Sequence, residues 1–261
     1  MIPVNPDRKT VLITGGNKGI GFAIAKKFAT EGFNIVISGR DEKALKTAST
    51  QLAQYSDVPS NYFTCDVTNQ NDIKSMIDQI TNVTTIDVLI NNAGIHETKS
   101  FMDYELQDFK RVIETNLYSV FLISKLVASN MLKNKSGCIV NIASTAGKWG
   151  SKNQSAYNAS KHAVVGLTRC MALELASYKI NVNAICPWIV ETEMGSRLLA
   201  DHATIKEDSV ENLLEGLKNS NPLGRLIMPE EVASLAFYLA GDHAAAVTGQ
   251  SWSVDGGYTM I

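Results

Sequence analysis

The chain has 261 residues, 45% of them hydrophobic and 19% charged, which is enough apolar content for a sizeable core and excludes a disordered chain. Lys and Arg number 24 against 26 Asp and Glu, and the net charge of -2 excludes the basic footprint of a dedicated nucleic-acid or membrane-surface binder. No uninterrupted apolar run approaches the ~18 residues of a membrane span, and the start MIPVNPDRK lacks an apolar signal segment, so the expectation is one cytoplasmic domain over 1–261.

The pattern along the chain alternates. Thr10–Ile13 reads as a buried strand, followed by glycines and by helical spacing from Ile20 to Phe28. Asn34–Ile37 is a second strand, and Asp41 is placed to cap a helix running through Leu45 and Leu52. Tyr62–Cys65 reads as a strand, Asp66–Ile80 as polar loop then helix, and Ile86–Ile90 as a strand stopped by Asn91-Asn92-Ala93-Gly94. One long helix is expected from about Glu105 to Leu132, then a strand over Cys138–Ile142, a helix over Ser155–Ser177 and a strand over Ile180–Ile185. Pro229 starts one more helix, and Trp252–Val254 reads as a last strand. Short apolar strands alternating with amphipathic helices mean an α/β fold, a doubly wound parallel sheet with helices on both faces. The polar, interrupted stretch 193–225 lies outside this alternation and is expected to form a substrate lid.

Cys65, Cys138, Cys170 and Cys186 form no CxxC pair and read as free thiols. His96, His162, His202 and His243 lack metal-ligand spacing, and no metal site is expected.

Chemistry concentrates where strands end. Gly15, Asn17, Lys18, Gly19, Ile20 and Gly21 form a strand-to-helix turn whose backbone amides can approach a pyrophosphate, although the same glycines would also serve a purely structural tight turn. The second strand ends in Ser38-Gly39-Arg40, without the carboxylate that would bind a ribose 2′-hydroxyl. Arg40, with Lys18 as a second cation, favours a 2′-phosphate and so NADP(H) over NAD; the alternative is two solvated surface cations. Asp66 can accept from an adenine amino group or cap a helix, and Asn92, Ala93 and Gly94 face the same crevice or form an ordinary loop. Tyr157 and Lys161 are four apart on a helix and share a face, so the ammonium is expected to lower the phenol pKa and make it a usable proton donor. Ser144 follows a strand end and so reaches the crevice; Asn116, a poor helix former within a long helix, has either a polar role or a surface one.

The set TGGNKGIG, NNAG, Asn116, Ser144 and YNASK, in this order, resembles the short-chain dehydrogenase/reductase superfamily over nearly the whole chain, down to the VDGG ending at Gly257. The resemblance implies a Rossmann-like single domain that transfers hydride from a nicotinamide to a carbonyl. It implies Tyr157 as general acid, Lys161 tuning it and holding the nicotinamide ribose, Ser144 on the substrate carbonyl, and Asn116 anchoring a water that links Lys161 to solvent. It also implies cofactor contacts from Val67, Pro187, Val190 and Thr192, with Trp188 standing where glycine is usual. The segments ETNL (114–117), VNIASTAGK (140–148), ASKH (159–162) and VET (190–192) are similar to the actinorhodin-type ketoreductases of type II polyketide synthesis. That resemblance implies a ketone substrate tethered to an acyl carrier protein, a pocket drawn from Ile95, His96, Trp149, Trp188, Met194 and Leu198, a helical lid and a homotetramer. Ile95-His96-Glu97 replaces the Pro-Gly-Gly expected after NNAG. An acidic carrier protein leads us to expect a basic entrance, with Arg40, Lys148, Lys152 and Arg197 as candidates. Two other readings stay open: reduction of a 3-oxoacyl thioester or small ketone on the same fold, and a dinucleotide-binding protein without turnover.

Overall fold

Thr10–Thr14 (β1) is buried at all five positions, as a strand must be when both faces of its sheet are covered. The structure, a computed structural model, describes residues 4–260; the first three residues of the MIPVNPDRK start and Ile261, the end of the expected domain, lie outside them. β1 is followed by α1 (Gly19–Thr30), β2 (Asn34–Gly39), α2 (Glu42–Leu52), β3 (Asn61–Thr64), α3 (Gln70–Thr81) and β4 (Val88–Asn91). Then come α4 (Leu106–Ile113), a π-helical turn (Glu114–Tyr118), α5 (Ser119–Asn134), β5 (Gly137–Ile142), α6 (Ser155–Leu175) and β6 (Ile180–Pro187). α7 (Glu193–Lys206), α8 (Val210–Ser220), α9 (Pro229–Ala240) and β7 (Ser251–Val254) complete the series.

The seven strands form one parallel sheet in the order β3-β2-β1-β4-β5-β6-β7. The winding direction reverses between β1 and β4, which opens a crevice beyond their carboxyl ends. Alternate strand residues feed two cores. Val11, Ile13, Ile35 and Ile37 meet Ile24 and Phe28 of α1 and Val232 and Ala236 of α9 on one face. Leu12, Val36, Leu89 and Ile139 meet Ile73 and Ile77 of α3 and Ile123 and Val127 of α5 on the other.

Two of the boundaries that differ from the sequence reading have a visible cause. The expected helix over 105–132 is interrupted at 114–118, where one turn widens around Asn116. β4 begins at Val88 rather than Ile86, because the Asp87 side chain accepts from the Thr10 amide (2.7 Å) at the mouth of the ladder. The helical lid expected over 193–225 contains two helices, each started by a hydroxyl cap: Thr192 Oγ1 accepts from Gly195 N and Ser209 Oγ from Asn212 N. By length and composition the segment Leu106–Asn134 could cross a membrane, but Ile123, Val127 and Met131 on its inner side are spent on the sheet.

Candidate active site

The glycine turn joins β1 to α1 at the crevice. Gly15 lies at φ +63°, and a Cβ on Gly21 would stand 2.3 Å from Gly15 O, so neither position tolerates a larger residue. Lys18 caps α1 without a side-chain bond, and the first amides of the helix therefore remain for an anion. The turn is braced from β4: Asn92 Nδ2 donates to Thr14 O (2.9 Å) and Gly15 O (3.1 Å), while Thr14 Oγ1 accepts from the amides of Asn92 and Ala93 (both 3.0 Å). Sequence reasoning passed over Thr14; a hydroxyl closing an aliphatic strand was the available signal.

The cations separate. Arg40 is exposed at the end of β2, lines the main cleft, and its charge helps lower the Asp66 carboxyl. Lys18, expected beside it, instead donates to Glu193 Oε2 at 2.6 Å, because the first turn of α7 carries its carboxylate over the glycine turn. Asp66 does not cap α3; Asn69 does. Asp66 Oδ1 accepts from Thr68 N (2.9 Å) and Thr68 Oγ1 (2.8 Å), which holds its pKa below the usual carboxylate range. Val67 is buried beside it.

β5 and α6 bring the reactive groups together. Ser144 follows β5, and its Oγ accepts from Ala146 N (3.1 Å) and hydrogen-bonds the Tyr157 phenol. Tyr157 and Lys161 stand on one face of α6, with Lys161 Nζ 5.6 Å from the phenol ring centre. Lys161 is buried and donates to Ile142 O at 2.8 Å. The expected effect of the lysine on the phenol is overtaken by burial. Burial pushes Tyr157 up to about 12 against the Ser144 bond, and pushes Lys161 down to about 8. Both shifts follow from removing charge from water. The phenol thus keeps its proton at neutral pH, the state needed to give it away.

Asn116 occupies the π turn, a distortion that recurs at functional sites. Its Oδ1 accepts from Ile95 N (2.8 Å), and its Nδ2 donates to Ile95 O (2.9 Å) and Ser160 Oγ (3.1 Å). A Cβ on Gly94 would lie 3.2 Å from Asn116 Oδ1 and 3.8 Å from Lys161 Nζ, so these three residues converge. Beneath them runs a buried chain that sequence reasoning missed. Asn91 Nδ2 donates to Asn141 Oδ1 (2.8 Å) and Ser124 Oγ (2.9 Å), and Asn141 Nδ2 donates to Thr168 Oγ1 (2.9 Å). Its signal was asparagine inside two apolar strands.

The main cleft, about 740 Å³, is lined by Ile95 and His96 as expected, together with Arg40, Thr68 and Thr204. Trp149, Trp188, Met194 and Leu198 do not line it. Trp188 is buried in the core and stacks on Tyr258 at 4.6 Å, and the same tyrosine meets Trp149 edge-on at 4.8 Å. Met194 is exposed and Leu198 half-buried on α7. Two of the four cations expected at a basic entrance, Lys148 and Arg197, are engaged by other groups. Lys148 Nζ donates to Ser251 O (2.8 Å) and Ser253 Oγ (2.9 Å) on β7, and Arg197 is paired with Glu193.

A Cβ on Gly19 would meet Thr192 Cγ2 at 3.3 Å, Val190 bridges to Ile227, and Pro187 ends β6. Asn17 Oδ1 packs against Gly39 at the end of β2, and Ile20 opens α1.

A family model described as enoyl-(acyl carrier protein) reductase matches residues 15–259. The chain is 40% identical over 259 residues to a Streptomyces violaceoruber protein provisionally named ketoacyl reductase 1 of the granaticin polyketide synthase, covering 98% of this chain and 94% of that one. It is 37% identical over 250 residues to the 3-oxoacyl-(acyl-carrier-protein) reductase of Chlamydia trachomatis serovar D, covering 95% and 96%. A crystal structure of a variant actinorhodin polyketide ketoreductase with NADPH is similar at TM-score 0.94 and 38% identity, covering 98% of each chain.

Proposed function

The chain belongs to the short-chain dehydrogenase/reductase family, and from that premise we propose that it is an NADPH-dependent ketoreductase acting on one ketone of a carrier-bound poly-β-ketone. The observation that carries this reading is the convergence of Ser144, Tyr157, Lys161 and Asn116 at the crevice, beside a cleft with Arg40 in its wall. The residues present suit the cofactor. The open amides of α1 suit its pyrophosphate, and Arg40, uncommitted to any ion pair among the described residues, suits the 2′-phosphate. When bound, the nicotinamide supplies hydride to the carbonyl carbon.

Each protein group then has one task. Ser144 donates a hydrogen bond to the carbonyl oxygen, and Tyr157 delivers a proton to that oxygen as it gains charge. Lys161 holds the nicotinamide ribose and keeps a cation near the phenol. Asn116 fixes Ile95, and with it the crevice wall, and stands where it can order a water next to Lys161. The lid of α7 and α8 covers the substrate. We further propose a cytoplasmic homotetramer that meets its substrate on an acyl carrier protein and engages neither nucleic acid nor membrane.

A second reading, reduction of a 3-oxoacyl thioester, is favoured by the similarity to the chlamydial reductase. Turnover separates the two. With NADPH, trans-1-decalone should be reduced faster than an acetoacetyl thioester, and NADH should serve poorly. The reverse substrate order would move the protein to fatty-acid or polymer metabolism. NADPH binding with no turnover on either would leave a dinucleotide-binding protein.

A further inference from the structure

Beside Tyr157 stands an imidazole that the chemistry above does not use. His96 follows Ile95, whose amide and carbonyl are both held by Asn116, so its backbone position is set by the π turn. Its ring meets the Tyr157 ring at 4.7 Å and 63°. Nδ1 lies 3.5 Å from Thr98 Oγ1, and Nε2 is buried with no partner atom within 3.5 Å, the Gln154 side chain acting on the ring from farther off. Gln154 and His202, joined to each other at 3.1 Å, are near enough to act on its titration. Burial, aided by the charge of Lys161, drives the ring down to about 4 against the pull of Gln154 and Asp201. At neutral pH it is therefore uncharged and carries one N–H. In the tautomer in which the Thr98 hydroxyl donates to Nδ1, that N–H is on Nε2.

A buried donor without an acceptor is costly, and such orphans mark places where a ligand completes the bonding. A neutral N–H suits an uncharged carbonyl oxygen, whereas phosphate or carboxylate calls for a cation. The ring lines the cleft and sits one ring contact from the phenol, which sets it beside the oxygen that Tyr157 protonates. We propose that His96 is a specificity-determining residue whose imidazole N–H binds the second carbonyl oxygen of a 1,3-dicarbonyl substrate while Tyr157 and Ser144 hold the first. The inference rests on the ketoreductase reading and adds to it a rule: an isolated ketone leaves His96 unpartnered and is disfavoured.

A matched pair of ketones tests this, 2,2-dimethylcyclohexane-1,3-dione and 2,2-dimethylcyclohexanone, which differ by the second carbonyl alone. Rates with NADPH are measured for wild type, His96→Phe and His96→Gln, together with the NADPH Kd. Phe keeps the ring against Tyr157 without the donor; Gln keeps a donor without the ring. The expected result is a fall of about tenfold in kcat/KM for the dione in His96→Phe, with the monoketone within about threefold, NADPH binding unchanged, and substantial recovery in His96→Gln. Equal losses on both ketones, or retention by Phe with loss by Gln, would assign His96 to packing and overturn the proposal. Failure of the underlying reading would look different: wild type would bind NADPH and reduce no ketone at all, and the proposal would fall with it.

Discussion

Tyr157 is held by two opposing influences, burial and the Ser144 hydrogen bond, and burial prevails. Tyr157→Phe should therefore lower turnover at least about a thousandfold, at the strong end of the ~10²–10⁴-fold range for proton transfer, and leave the NADPH Kd within about twofold, as read by fluorescence titration. Full activity would remove the phenol from the mechanism. Lys161 makes a prediction of the opposite kind, for stability. Its folded pKa of about 8 lies below the ordinary 10.5, so between those values the unfolded chain binds the extra proton and stability rises with pH. At neutral pH the buried ammonium costs stability, of order 3 kcal/mol by the size of the shift. Lys161→Met should raise Tm at pH 7 while abolishing turnover, and that gain should shrink as pH rises from about 8 toward 10.5. A fall in Tm at pH 7 would mean that the Ile142 hydrogen bond outweighs desolvation. The spacing of Tyr157 and Lys161 was legible because one helix carries both. His96, Gln154 and His202 were not legible as a group, since three separate elements bring them together.

The lid is the least buried part of the helical structure, with no buried residue in α8 and only Gly195, Leu199 and Ala203 in α7. What orders it lies at its two ends. At the start, Thr192 caps α7, Glu193 receives Lys18, and Ile227 N donates to Ile189 O at 3.1 Å. At the finish, buried Asn221 donates to Asp255 O (2.9 Å) and accepts from Leu223 N (2.9 Å). Asn221→Ala frees one end, and amide exchange should quicken through 207–223 while β1, β4 and β5 keep their protection. KM for bulky ketones should rise several-fold with it. Uniformly faster exchange across the sheet would show that Asn221 supports the core instead. The polarity that marked 193–225 as a lid left its helix boundaries unread, since each start is set by a single capping residue, Thr192 and Ser209. The π turn was hidden for a different reason. Helical periodicity reads a smooth average, and one widened turn leaves the apolar pattern on both sides intact.

At the scale of the molecule, the α4–α5 rod leaves Leu106, Tyr118 and Phe121 exposed, and α6 leaves Leu173 84% exposed. Exposed apolar faces on neighbouring long helices are suited to association across a two-fold axis. The proposed homotetramer should sediment as such at micromolar concentration, and Tyr118→Lys with Phe121→Lys should shift it to smaller species. A monomeric wild type would refute the assembly. The parallel sheet with helices on both faces was legible because strand and helix periods alternate cleanly; which faces remain open was not, because exposure depends on how distant elements pack.

The brace between the glycine turn and β4 also bears on how the chain comes to fold. Asn92 reaches Thr14 and Gly15 across 78 and 77 residues. A nascent chain that has emerged only through β3 already contains every glycine of the turn and the Ser38 carbonyl that accepts from Gly15 N (2.7 Å) and Gly16 N (3.2 Å), yet lacks the brace from Asn92. Closing so long a loop is an entropic cost met before any return from the contacts, so the dinucleotide crevice belongs to the late, cooperative stage of assembly. Cofactor affinity gained during refolding is thus a clock for the docking of β4 beside β1.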